Sequence, residues 1–232
     1  MANPENTLRG ISSMATRHVL SELAARYHSE GLGRIEIESV GGVDALKRVS
    51  EGERFDLVWL AADAIEKLDQ GGHVVPGSRV DLMRSDIWVA VPGGAAHPPI
   101  DTEAAVRQAV LRARTLGYST GPSGVYLAGL FQRWGIAQDV APRLVQAPPG
   151  VPVGTLIARG QIELGFQQRS ELIDIEGIDV LGPLPPDIQK TTVFAGVVCA
   201  TSEQPGAARA LLAFMASPDS AATLRKHGME PA

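Results

Sequence analysis

A single cysteine in 232 residues excludes an intrachain disulfide and any metal site built on thiolates. That residue, Cys199, lies in the apolar run Val193-Phe194-Ala195-Gly196-Val197-Val198-Cys199-Ala200 and reads as a small buried hydrophobe. An excess of basic charge is also missing. Twenty-one Lys and Arg stand against 26 Asp and Glu, aromatics make up 5%, and no basic cluster is interleaved with them, so neither nucleic acid nor an anionic membrane surface is an expected partner. No segment approaches the ~20 apolar residues of a membrane-spanning helix. The N-terminus carries Glu5, Arg9, Arg17, Glu22 and Arg26 without the apolar core of a signal peptide. The chain as written is therefore expected in the cytoplasm, and in the periplasm if a leader has been removed.

Several catalytic signatures are absent too. No Gly-rich loop ends in Lys followed by Ser or Thr, and no glycine trio follows the first strand, which removes nucleotide and dinucleotide fingerprints. Gly121-Pro122-Ser123-Gly124 has the wrong spacing for a nucleophile elbow. His73, His97 and His227 stand beside turn residues with no shared spacing, so neither a metal nor a cofactor is expected.

What is present is a 44% hydrophobic chain long enough for one large domain or two small ones. Strand and helix signals alternate: strand 7–11, helix 14–29, strand 35–40, helix 43–50, strand 55–61, helix 62–69, the pattern of a parallel sheet. The pattern restarts at Asp86, with strands at 87–91, 116–119, 144–146 and 162–167, helices at 102–112, 125–134 and 153–158, then strands within 178–186 and 191–200 and two terminal helices. Three parallel strands are too thin to finish a core alone, so the terminal helices are expected to return to the first lobe. This gives two α/β lobes, residues 1–84 with 192–232, and an inserted lobe 85–191.

Two strand-to-helix junctions carry hydroxyls and glycines: Gly10-Ile11-Ser12-Ser13-Met14 and Gly121-Pro122-Ser123-Gly124-Val125. Each offers hydroxyls and free backbone N–H groups at the positive end of a helix, a means of holding an anion without a metal. Both fall beyond the carboxyl ends of strands, where ligands of such sheets sit, and one ligand gripped from two sides implies a cleft between the lobes. Plainer roles compete with each: Ser12 and Ser13 as helix caps, Gly41-Gly42 as a turn, Gln168 and Arg169 as solvated residues at a strand end. His18, one turn past the serines, suits solvent or packing as well as a general base. Arg84 reads as a hinge ion pair as readily as an anion ligand, and Tyr118 and Tyr126 as packing residues.

The order of these motifs, with Gly41-Gly42, Phe55-Asp56-Leu57-Val58, Pro122-Ser123-Gly124-Val125-Tyr126 and Leu164-Gly165-Phe166-Gln167-Gln168, resembles the periplasmic molybdate-binding protein family, a branch of the type II solute-binding proteins. The resemblance spans nearly the whole chain and implies a two-lobe periplasmic-binding-protein-like α/β fold with a ligand cleft between the lobes. It implies that an oxyanion is held at positions matching Ser12, Ser13, Gly41, Gly42, Ser123, Gly124, Gly150, Val151 and Gln168, with Arg169 beside the last. The chain departs from the family where the second junction offers glycines instead of serines and where Gln168 replaces a Tyr. An amide next to a guanidinium favours a larger planar anion such as a carboxylate.

Two functions follow as expectations. One is binding of a small oxyanion or of a di- or tricarboxylate, with a transporter permease of the ABC type as partner only if the chain is exported. The other is a cofactor-free isomerase similar to the family's aconitate isomerase offshoot, moving an allylic proton between trans- and cis-aconitate, with its proton carrier unassigned.

Overall fold

The computed structural model describes residues 7–232; residues 1–6, Glu5 among them, lie outside the described residues. In chain order the elements are β1 (Thr7–Ser13), a 3-10 turn (Met14–Thr16), α1 (Arg17–Ser29), β2 (Arg34–Val40), α2 (Gly42–Ser50), β3 (Leu57–Ala61), α3 (Ala62–Gln70) and β4 (Val80–Ser85). They continue as β5 (Ile87–Pro92), α4 (Glu103–Arg112), β6 (Leu116–Tyr118), α5 (Pro122–Arg133), α6 (Ala137–Val140), β7 (Leu144–Gln146), α7 (Val153–Ala158), β8 (Leu164–Gln168), α8 (Arg169–Leu172) and β9 (Ile178–Pro183). The chain closes with β10 (Thr192–Val198), α9 (Pro205–Met215), α10 (Ala221–Lys226) and β11 (Glu230–Pro231). It divides into a first unit, Met1–Arg84 with Val193–Ala232, and a second, Ser85–Thr192.

The first unit is a six-stranded sheet in the order β11-β4-β10-β3-β1-β2. β1 runs parallel to β2 and β3, as the alternating pattern predicts, but β10 pairs antiparallel with β3. The sheet is thus mixed, because the returning chain adds a strand as well as helices. β4, in which the successive residues Leu82 and Met83 are both buried, was not foreseen; it sits beside β10.

Both faces of this sheet are covered, so β3, Leu57-Val58-Trp59-Leu60-Ala61, is buried along its whole length. Trp59 lies with Leu20, Leu23, Leu211 and Met215 on one side; Val58 and Leu60 lie with Val49, Ile65 and Leu68 on the other. The indole fits because the neighbouring strands carry glycine. A Cβ on Gly10 would fall 2.4 Å from Trp59 Cζ3, and one on Gly196 2.7 Å from Trp59 Nε1.

The second unit is a five-stranded sheet, β7-β6-β8-β5-β9. β6 is parallel to β7 and β8, whereas β5 is antiparallel to β8 and β9. β8 is buried throughout despite ending in two glutamines, and Gly117 and Gly165 give Ile162, Ile157 and Val153 room to press onto the sheet. Among the described residues no helix is long and apolar enough to cross a membrane.

Candidate functional site

In the first unit β1 continues through Ser13, two residues past the strand end expected at Ile11, so both serines belong to the strand's carboxyl end. Ser12 faces Ser39 of β2 in register, and their hydroxyls lie 2.8 Å apart with Ser12 fully buried. Ser13 precedes the 3-10 turn in extended conformation but makes no capping bond through its side chain. Its Oγ is enclosed and has no hydrogen-bond partner among the described residues. Gly42 lies against it: a Cβ there would sit 3.7 Å from Ser13 Cβ, ordinary contact.

Gly41 stands at the N-cap of α2, its carbonyl accepting from the Ala45 N–H at 2.9 Å. Because β1, β2 and β3 are parallel, the helical turns that follow them begin at one edge of the sheet, with their N–H groups turned toward it. An unpartnered hydroxyl beside those helix starts is a buried polar group that calls for an explanation.

In the second unit α5 begins with Gly121 at its N-cap and Pro122 in its first turn. Ser123 is buried, with its Oγ 3.1 Å from Ser119 Oγ, which also accepts from the Gly121 N–H at 3.2 Å. Gly124 packs on the preceding loop so closely that a Cβ would fall 1.7 Å from the Ser119 carbonyl oxygen. Only glycine fits there.

Gly150 is exposed at φ +80°, and the half-buried Val151 closes its turn by donating to the Pro148 carbonyl at 3.0 Å. The start of α7 is tied to β8, where Val153 N–H donates to Gln167 Oε1 at 2.6 Å.

Gln168 is 1% exposed. In the orientation that satisfies its neighbours, its side-chain oxygen accepts from Thr192 Oγ1 at 2.9 Å and its nitrogen donates to the carbonyls of Ser85 at 3.0 Å and Asp86 at 3.3 Å. Arg169 follows, half-buried, with its guanidinium 4.7 Å above the ring centre of Trp88. Among the described residues no carboxylate pairs with it, and the neighbouring Ser170 Oγ is buried without a partner.

The remaining candidates lie apart from these groups in the chain's hydrogen-bond and strand pairing. His18 Nε2 is 2.9 Å from Arg17 Nη2, and its ring stacks on His227 with centroids 6.2 Å apart. Arg84 is exposed on β4 opposite Glu230, and Tyr126 donates to the Ile188 carbonyl at 2.9 Å. A cavity of about 500 Å³ between α1 and β2, lined by Arg17, Ser21, His28, Arg34, Ile37 and Ser39, meets the junction only at Ser39. Among the described residues no three His, Cys, Asp or Glu side chains are grouped to hold a metal.

Sequence reasoning missed Ser39, Ser119 and Gln167. Ser39 was traceable through strand pairing, since it ends β2 where Ser12 ends β1. The two others are visible only through the packing of loop on helix and helix on strand.

Comparison with known proteins gives a consistent result. Residues 8–230 match the family described as bacterial extracellular solute-binding protein. The chain is 36% identical, over 99% of its length and 90% of the relative's, to an aconitate isomerase of Pseudomonas sp.. It is 26% identical to the molybdate-binding protein ModA of Rhodobacter capsulatus, over 78% of this chain and 71% of that one. Among solved structures, the periplasmic molybdate-binding protein of Azotobacter vinelandii superposes with a TM-score of 0.79 at 19% identity, covering 96% of this chain and 98% of the other. That likeness shows the fold, an α/β fold of the type II periplasmic-binding-protein kind.

Proposed function

The chain belongs to the bacterial extracellular solute-binding protein family, and we propose that its ligand is a small carboxylate anion, a di- or tricarboxylate, in preference to a tetrahedral oxyanion. The observation that carries this is Arg169, a half-buried guanidinium laid on Trp88 with no carboxylate of its own among the described residues. A planar guanidinium presents parallel N–H groups that match a carboxylate two to two, and the indole face holds the cation in place. Ser123, Gly124, Gly150 and Val151 are further proposed ligand positions of the unit that carries Arg169, and Ser13, Gly41 and Gly42 are proposed ligand positions of the first unit. The unpartnered Ser13 hydroxyl supports its membership. An ABC-type permease is a partner in this reading only if the chain is exported.

Turnover is the second reading, favoured by 36% identity along nearly the whole chain to an aconitate isomerase. In that reaction a base takes a proton from the CH₂ of trans-aconitate, the double bond shifts, and a proton returns to the former vinyl carbon to give the cis isomer. Electrons and atoms balance without a redox cofactor. A guanidinium on the adjoining carboxylate would stabilise the charge that develops as the proton leaves.

A thermal-shift panel of molybdate, tungstate, sulfate, citrate, isocitrate and the two aconitates tests both readings, with ultraviolet absorbance of the aconitates followed over time. Ligand at 100 times its dissociation constant stabilises by about 2.7 kcal/mol, a shift of a few degrees. Stabilisation by carboxylates is expected, and approach to one absorbance end point from either aconitate isomer would establish the isomerase. A shift with molybdate or tungstate alone sinks the carboxylate reading.

A further inference from the structure

We propose that Gln168 does not touch the ligand but is a positioning residue that holds Arg169 in the orientation a planar carboxylate requires; this rests on the carboxylate reading above. The side-chain oxygen of Gln168 is taken by Thr192 Oγ1 and its nitrogen by the Ser85 and Asp86 carbonyls, and the residue is 1% exposed. Such an amide has no donor left for an anion.

Its partners, however, are the supports of the next residue. The backbone N–H of Arg169 donates to the same Asp86 carbonyl at 3.1 Å, and Trp88, two residues further along that segment, is the platform under the guanidinium. Thr191 Oγ1 donates to Asp86 Oδ1 at 2.6 Å, so the stretch 191–192 braces the other side of the same segment. Three pieces of the second unit, 85–88, 168–169 and 191–192, are therefore laced together at Gln168 and Asp86. The knot fixes where the Arg169 side chain starts and which ring it lies on.

Bidentate pairing with a carboxylate needs the guanidinium plane held within about 10–20°. An oxyanion held by hydroxyls and backbone N–H groups has no such requirement. Loosening the knot therefore lowers affinity for carboxylates while leaving the response to a tetrahedral oxyanion unchanged. A residue that merely stabilised the fold would weaken both alike.

The test is calorimetric titration of citrate, trans-aconitate and molybdate into the full chain and into Gln168→Met, Arg169→Ala and the double variant, with thermal melts alongside. Gln168→Met should lose about tenfold in carboxylate affinity, the lower end of the cost of removing a group that orients a binding residue, with any molybdate signal within twofold of the parent. The double variant should bind no worse than Arg169→Ala alone, because the two residues act as one unit. Thr192→Val, which removes the donor to the Gln168 oxygen from outside β8, should shift selectivity in the same direction and serves if Gln168→Met fails to fold.

Carboxylate binding within twofold of the parent in Gln168→Met, or additive losses in the double variant, would overturn the positioning role. Parent-like carboxylate binding by Arg169→Ala would overturn the carboxylate reading itself, and this inference with it.

Discussion

The Ser12 hydroxyl lies 2.8 Å from the Ser39 hydroxyl across the β1–β2 pair, while the hydroxyl of the next residue, Ser13, is enclosed too and has no partner among the described residues. Neighbouring residues of a strand point to opposite faces of the sheet, so Ser12 shares a face with its register partner Ser39 and Ser13 lies on the other face. The first is spent on joining two strands. The second carries a desolvated donor, a cost of about 1–3 kcal/mol that an accepting anion would relieve.

Ser13→Ala is expected to leave the melting temperature unchanged or raised, since it deletes an unsatisfied group, while weakening anion binding about tenfold through loss of a charge-assisted bond. Ser12→Ala should do the reverse, lowering stability by about 1 kcal/mol through loss of the bond to Ser39. Thermal melts with and without citrate or molybdate separate the two; equal effects from both substitutions would remove the distinction.

Two glycines of α5 should respond in opposite directions. Gly124→Ala forces a Cβ into the Ser119 carbonyl and should displace the start of the helix, with loss of both stability and binding. Gly129, exposed in the same helix with open space around its Cα, should accept Ala and gain about 0.5–1 kcal/mol. Chemical denaturation of the pair is the check.

Burial pushes the Cys199 thiol up to about 12, helped by the negative charge of Asp56. At mildly alkaline pH the native protein should therefore resist thiol-specific reagents, because the thiolate is the reactive form. Unfolding in guanidinium should release one reactive thiol per chain. Rapid labelling of the folded protein would contradict the burial of β10's end.

Hydrogen bonds from Lys226 and then His227 hold the Glu22 carboxyl below its ordinary value of 4.5. A depressed carboxylate contributes stability above its unfolded value and loses it as pH falls through the folded one. The contact between α1 and the α10 end should thus be intact at neutral pH and fade below 4.5. Glu22→Gln should lower the melting temperature slightly near neutrality, the carboxylate being part-exposed, and the difference from the parent should close in acid. A constant difference across that range would assign the effect to packing.

Much of the fold was legible in the chain itself. Alternation of apolar runs with helical periodicity located β1 to α3 and the restart at Asp86, and glycine and proline punctuated them, because these are local properties of the backbone. The serines and glycines of the two junctions were legible for the same reason: hydroxyls and flexible backbone at a helix start are written in a few adjacent residues. The direction of β10, the place of β4 and the glycine bed of Trp59 depend on which distant segments meet, and no local pattern encodes that. The same holds for the roles within the site. The family resemblance grouped Ser12, Ser13, Gln168 and Arg169 as ligand positions, and only the tertiary structure separated them, by supplying Ser39 to Ser12, Ser85, Asp86 and Thr192 to Gln168, and Trp88 to Arg169, while supplying no partner among the described residues to the Ser13 hydroxyl. A hydrogen bond is decided by where two groups lie in space, and that position is set by packing of the whole unit.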